Sequence, residues 1–404
     1  MVGDKMNIVI LTTFPFPIGL SGTNRLLSYA KGLSELGNDI NILILRPTEK
    51  KKNIVNEKRK GIYENINFEY SFLKTTKPNL KLSKIVIYII SFLYSLIIFI
   101  KYNFKKRTNI IISTCDSGII NLTYFILSKI FKNKFIYFVD EYPYPLRYNI
   151  TPNKIQIIYF KIWVKVFDGI VVMTKNLYNY FQNYKKKTTK LFLMPMTVDH
   201  TRFNIVESNT NINGDYICYI GELSYNKDGV KNLIEAFNYL IKHNNYNIKL
   251  CIIGDAKDNK ELLSLKDYCK KLDIDNLIIF TGRISSDKVP IYLCNAKLLA
   301  LARPNSIRSQ GGFPTKLGEY LATGKPVVVT KVGEIPDYLS DGVNAYLCEP
   351  DNPIEFANKM KEILENYENA LLVGQKGKEV ALNIFNYKIQ SAKLNDFFVN
   401  ILKK

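Results

Sequence analysis

Histidine is almost missing from this 404-residue sequence: only His200 and His243 occur. No Ser/His/Asp set and no His/Cys metal spacing can be assembled around them, so triad hydrolysis and zinc chemistry are excluded. The six cysteines (Cys115, Cys218, Cys251, Cys269, Cys294, Cys348) stand apart with no C-x-x-C pair. Several sit in apolar runs, which reads as free, buried thiols in a reducing compartment. Low-complexity tracts, heptad runs and 20-to-50-residue repeats are missing too. There is no helix-turn-helix, zinc-finger or RNP-type signature, so nucleic acid is not an expected partner. Residues Met1 to Leu11 carry no signal-peptide pattern, because the apolar run Ile8 to Leu11 is short and enters a Pro/Gly loop. The expected location is cytoplasmic.

Acidic residues are scarce in one half only. From Met1 to His200 there are 30 Lys/Arg against 12 Asp/Glu, and beyond His200 there are 26 against 24, giving a formal charge of +20. A basic face of this kind predicts an anionic membrane surface as partner. The most hydrophobic run, Ile85 to Ile100, has 16 residues without a charge, with Lys81 and Lys84 before it and Lys101, Lys105, Lys106 and Arg107 after it. A span needs about 20 apolar residues. The run therefore reads as a helix that is buried in its domain or dips into a membrane interface, with aromatic residues and lysines suited to the latter.

What is present is a globular α/β pattern. Hydrophobic residues make up 47% and charged residues 23%, and the length suits two domains. A βαβ opening is predicted from strand Asn7 to Thr12, a loop with Gly19 and Gly22, a helix from Leu26 to Leu36 closed by Gly37, and strand Ile40 to Leu45. Thr48 to Lys60 reads as a charged loop or short helix. Further strands are predicted at Asn109 to Thr114, Lys134 to Val139, Ile170 to Thr174 and Leu191 to Pro195. A second set follows at Tyr216 to Gly221, Lys249 to Ile253, Leu277 to Thr281, Leu298 to Ala302 and Val327 to Thr330, alternating with helices. Pro353 to Leu364 and Tyr387 to Leu402 read as closing helices. In open α/β sheets ligands collect at the carboxyl ends of strands. Asp140 and Glu141 stand at such an end, either as ligands for hydroxyls or as solvated loop acids.

The most informative stretch runs from Arg303 through Gly311-Gly312-Phe313-Pro314-Thr315-Lys316 to Glu319 and Lys325-Pro326. It reads as strand, Gly-rich loop, helix from Pro314 to Thr323, and strand. A helix N-terminus after such a loop presents unpaired N–H groups and a positive dipole end, which bind phosphate. Glu319, about one and a half turns in, is placed to accept hydrogen bonds from sugar hydroxyls. An ordinary surface glutamate is the alternative.

Ala322-Thr-Gly-Lys-Pro-Val-Val328, Gly333 to Gly342 and Glu319 together resemble the donor site of the GT-B glycosyltransferases, family 4. The resemblance implies two Rossmann-like doubly wound domains facing a central cleft: residues 1–200 for the acceptor, 201–385 for the nucleotide sugar, and a helix in 386–404 crossing back. Met194-Pro-Met-Thr-Val-Asp199 is similar to the family's interdomain hinge. Glu319 would hold the ribose, Lys227 and the Gly312-to-Lys316 backbone the diphosphate, Arg283 and Ile284 the base. Gly22 would lie near the phosphates, with Arg25, Asp140 and Glu141 on the acceptor side. Two departures stand out. Glu222 occupies the position of the family's phosphate-binding arginine, and Gly311 that of the first glutamate of its Glu-x7-Glu motif. Arg303, Arg308 or Lys316 would supply the missing charge, and backbone N–H groups of Gly311 to Phe313 would replace the carboxylate. Asp273-Ile-Asp275 precedes a strand and is not a metal motif of this kind; neither metal nor cofactor is expected. The implied activity is retaining transfer to a saccharide or lipid-linked saccharide in cell-surface polysaccharide synthesis, peripheral on the inner face of the cytoplasmic membrane. A degenerate, membrane-bound scaffold and a nucleotide-sugar epimerase or hydrolase are the alternatives.

Overall fold

The computed structural model describes residues 5–52, 54–204, 210–244, 246–256 and 258–403. It separates into two compact units, residues 1–197 with 387–404, and residues 198–386. Each is built on a parallel sheet whose strands are short runs of Ile, Val, Leu and Phe. Crossover helices cover both faces, so such strands are apolar throughout rather than alternating.

In the first unit the strands are β1 (Asn7–Thr12), β2 (Asp39–Ile44), β3 (Lys60–Tyr63), β4 (Ile66–Tyr70), β5 (Ile110–Ser113), β6 (Lys134–Val139), β7 (Gly169–Val172) and β8 (Lys190–Leu193). Their order is β3-β4-β2-β1-β5-β6-β7-β8, parallel except for the β3/β4 hairpin. The chain winds outward in both directions from β1, so the topological switch lies between β1 and β5. The hairpin was not foreseen. Its turn residues Glu64 and Asn65 have φ of 47° and 62°, the left-handed pair of a type I′ turn without the usual glycine. Among the described residues no helix forms between Thr48 and Lys60. That loop instead wraps the buried carboxylate of Glu49, which accepts from the Val55 N–H at 2.9 Å and from Asn56 Nδ2 at 2.9 Å.

The first helix, Ser21–Glu35, begins five residues before the expected start at Leu26. The last helix, Tyr387–Leu402, docks on it. Tyr387 Oη donates to Glu35 at 2.8 Å, and a β-carbon on Gly32 would strike Ser391 and the Tyr387 carbonyl. Leu394, Phe398 and Ile401 complete the core under β1 and β2. The apolar run 85–100 is part of a 25-residue helix, Lys81–Lys105, long and apolar enough to cross a membrane. Only 22% of its apolar window is buried, which corrects the reading of a buried core helix. Its packed face is Ser91, Ser95, Ile98 and Phe99, with Tyr124 Oη donating to Ser95 Oγ at 2.8 Å.

The second unit contains β9 (Tyr216–Ile220), β10 (Lys249–Ile253), β11 (Ile278–Gly282), β12 (Leu298–Leu301), β13 (Val327–Thr330) and β14 (Tyr346–Cys348), in the order β11-β10-β9-β12-β13-β14 and all parallel. Here the winding reverses between β9 and β12. All six cysteines are free, and all but the half-buried Cys294 are buried. Burial pushes the Cys269 thiol up to about 11 and the Cys115 and Cys348 thiols up to about 12, so they stay protonated at neutral pH.

Close packing at Gly32 generates a test. Gly32→Leu should lower the stability of the first unit by about 1–3 kcal/mol through overpacking against Ser391. Urea unfolding followed by tryptophan fluorescence reads this directly, since Trp163, the sole tryptophan, lies in that unit.

Candidate functional site

Where the winding of a doubly wound sheet reverses, neighbouring crossovers leave on opposite faces and open a crevice at the carboxyl ends of the strands. In the second unit this point lies between β9 and β12. Gly229 follows the short helix Tyr225–Asp228 with φ of 67°, and a β-carbon there would collide with the Ala302 carbonyl just past β12. Gly333, with φ of 56°, is pressed in the same way against the Ser309 carbonyl. Glycine at these positions lets the loops stack backbone on backbone.

Two charged pairs occupy the crevice. Asp228 is 3% exposed and accepts from Lys316 Nζ at 2.6 Å. Burial drives its carboxyl up, but Lys316 and Arg303 more than offset that and hold it below the ordinary carboxylate range. Lys316 is lowered by burial, against the pull of Asp228, and its ammonium lies 4.9 Å over the Tyr219 ring. The side chain of Lys316 is therefore committed to Asp228, which corrects its expected role as a free phosphate ligand. Lys227 Nζ is 3.6 Å from Glu222 Oε2. The acid at the arginine position thus faces the one lysine that the motif retains.

Helix Thr315–Thr323 starts at the mouth of the crevice. Pro314 is its N-cap rather than a first-turn residue, no side chain caps it, and its first turn carries no acid. Gly311, Gly312, Phe313 and Pro314 are buried. The Gly312 N–H donates to the Arg308 carbonyl at 3.2 Å, so it is not free to replace the missing carboxylate at Gly311. Phe313 packs against Tyr338 and Phe385. What the helix end offers outward are the N–H groups of Thr315 and Lys316, which make no hydrogen bond among the described residues.

Glu319 is not an idle surface acid. Arg202 Nη1 donates to Glu319 Oε1 at 3.0 Å, and Arg202 Nη2 donates to the Ser286 carbonyl at 2.7 Å. Arg202 thereby ties helix Thr315–Thr323 to the loop after β11, in which Arg283 is exposed and Ile284 half-buried. Sequence reasoning passed over Arg202; its only signal was an arginine three residues beyond the hinge-like Asp199. Glu319 Oε2 remains as an acceptor.

In the first unit the expected acceptor-side residues do other work. Arg25 is 2% exposed and pairs with Asp140 at 2.8 Å while donating to the Met194 and Pro195 carbonyls at 3.0 and 3.1 Å. It is a buried tie across the ends of β6 and β8, not a group facing a substrate. Burial raises the Asp140 carboxyl despite Arg25. Glu141 pairs with Arg147 at 2.7 Å, and Arg147 also reaches Asp116 at 2.9 Å, a cluster not foreseen. Gly22 lies inside the first helix, where a β-carbon would meet the Phe14 ring. Asp275 opens a short turn just before β11, ahead of the strand rather than at its carboxyl end. Among the described residues no three His, Cys, Asp or Glu side chains come together as a metal site would require.

Residues 200–380 match the family model described as "Glycosyl transferases group 1". An uncharacterized glycosyltransferase of Methanocaldococcus jannaschii is 32% identical over 151 residues, which is 37% of this chain and 39% of that protein. The lipopolysaccharide 1,2-N-acetylglucosaminetransferase of Salmonella typhimurium is 25% identical over 208 residues, 50% of this chain and 51% of that protein. The matches thus span about two-fifths to a half of these relatives. Sucrose-phosphate synthase from Thermosynechococcus elongatus superposes with a TM-score of 0.76 at 14% identity, covering 99% of this chain and 100% of that one. Anabaena HepE, solved in complex with UDP and glucose, gives 0.69 at 16% identity over 98% and 99%. The fold is GT-B.

The Asp228–Lys316 pair predicts opposite pH responses. A carboxyl whose folded pKa is depressed contributes stability above its unfolded value and loses it as pH falls, so the wild-type second unit should weaken below about pH 4. Lys316→Met leaves a buried charge unpaired and should cost about 3–5 kcal/mol at pH 7. Mild acidification, by protonating Asp228, should recover part of that loss in the variant alone, as read by thermal unfolding across pH.

Proposed function

We propose that this GT-B chain, with its group 1 match over residues 200–380, is a glycosyltransferase that moves a sugar from a nucleotide diphosphate sugar to a saccharide or lipid-linked saccharide acceptor. One observation carries the reading. At the switch point of the second unit, an uncapped helix N-terminus, Lys227 and the Arg202-held Glu319 converge on one crevice. The helix N–H groups and Lys227 stabilise the charge that develops on a departing diphosphate. Glu319 Oε2 accepts from the ribose, and Arg283 with Ile284 flanks the base. The Anabaena neighbour, solved with UDP, supports a uridine nucleotide.

The acceptor hydroxyl oxygen bonds to the anomeric carbon as the bond to the diphosphate oxygen breaks, and a donor phosphate oxygen takes the proton. Attack on the same face retains configuration and needs neither a protein nucleophile nor a resident metal. The Salmonella relative's name supports cell-surface polysaccharide synthesis, with the protein peripheral on the inner face of the cytoplasmic membrane. A degenerate scaffold is the second reading, favoured by Glu222 lying against Lys227.

Thermal stabilisation by a panel of nucleoside diphosphates tests the proposal. One nucleotide should stabilise the protein, and Glu319→Ala should weaken it by about 10- to 100-fold, the range of a lost hydrogen bond to a charged group. Arg202→Ala should weaken it less, because Glu319 remains but loses its orientation. Glu222→Gln should tighten binding by about twofold to fivefold by releasing Lys227. No response to any nucleotide would overturn the transferase in favour of the scaffold.

A further inference from the structure

Three helices of the first unit leave apolar stripes uncovered on adjoining surfaces. Along Lys81–Lys105 the exposed residues Leu82, Ile85, Ile89, Leu93 and Ile97 recur every three or four positions, one helix face. Helix Gly118–Ile130 packs on the opposite face through Tyr124 and exposes Ile119, Ile126 and Ile130. Helix Lys154–Trp163 follows, with Gly118 lying against Tyr159 and Trp163, and exposes Ile155, Ile158 and Ile162. Apolar stripes on three neighbouring helices mark an interaction site rather than scattered exposure.

The charges around it identify the partner. Between Tyr70 and Phe167 there are 15 Lys/Arg and three acids, Asp116, Asp140 and Glu141, none of them within the three helices. Each acid is paired, Asp140 with Arg25 and the other two with Arg147. The lysines around the apolar stripes therefore outnumber the carboxylates, of which Asp39 pairs with Lys106 and Asp168 with Lys129. Apolar residues that enter an acyl boundary, rimmed by cations at headgroup level, suit an anionic bilayer. They do not suit a nucleic acid, which offers no such apolar depth.

The long helix meets the length requirement of a span, yet it is tied to its unit from end to end. The Arg46 guanidinium lies 5.4 Å over the Tyr88 ring, Tyr102 Oη donates to Glu69 at 3.2 Å, and Lys106 pairs with Asp39 at 2.8 Å. Crossing a bilayer would break these contacts and take Lys106 from its partner. We infer that the three helices form a monotopic platform that lies in the interface of an anionic membrane, with Lys81–Lys105 parallel to the surface. This deepens the membrane location proposed above and does not depend on the donor site.

Co-sedimentation with vesicles of phosphatidylcholine alone or mixed with phosphatidylglycerol tests it. Wild-type protein should bind the anionic vesicles much more strongly, and alkaline carbonate should release it. Ile85→Ser/Ile89→Ser/Leu93→Ser and, separately, Ile155→Ser/Ile158→Ser/Ile162→Ser should each lower partitioning about tenfold or more, with thermal unfolding unchanged. A loss in the first variant alone would overturn the three-helix platform, and resistance to carbonate would replace it by a span. Equal vesicle binding by all proteins would overturn the platform. So would a wild-type dimer in light scattering that both variants dissociate. Nucleotide stabilisation, measured on the same variants, should be unchanged; its loss in wild type would count against the transferase reading only.

Discussion

A buried carboxylate needs a cation, and in the second unit that requirement organises the candidate site. Asp228 follows β9 and Lys316 stands in the helix that follows the β12 loop, so their contact at 2.6 Å spans the two sides of the switch point. Each charge is costly alone and tolerable together. Because the pair fixes the relative position of two crossovers, it also sets where Lys227 and the N-terminus of helix Thr315–Thr323 stand. The first unit uses a similar tie: Arg25, buried, holds Asp140 and the carbonyls of Met194 and Pro195 across two strand ends.

Glu222 and Gly311, the two departures from the family motif, differ in consequence. Gly311 is buried, and the N–H of the neighbouring Gly312 is already given to the Arg308 carbonyl. Glu222 instead lies beside Lys227 and offsets part of its charge. On the function proposed above, a site so balanced would favour a ligand with enough charge to outcompete a neighbouring acid, as a diphosphate does and a neutral sugar does not.

Much of the architecture was legible because parallel strands buried on both faces are written as continuous apolar runs. Val327 to Thr330 and Leu298 to Leu301 needed no further signal. The β3/β4 hairpin was not legible, because Glu64 and Asn65 adopt left-handed conformations that the sequence signals only with glycine. Arg25 was misread since an arginine after a glycine loop suggests exposure, and only the fold brings Asp140 and two carbonyls around it. Arg202 was missed for the same reason: its partners, Glu319 and Ser286, are more than 80 residues away in sequence. Motifs report local geometry, whereas ties of this sort are made by topology.

The distribution of the thiols gives the chain a practical property. Five of its six cysteines are enclosed in the cores and Cys294, at the end of the short helix Val289–Cys294, is the exception. A maleimide dye would meet that sulfur first, which makes the unmodified sequence close to a singly labelled probe. A fluorophore there would report on the second unit from a position in a helix other than those lining the crevice, without the removal of any native cysteine.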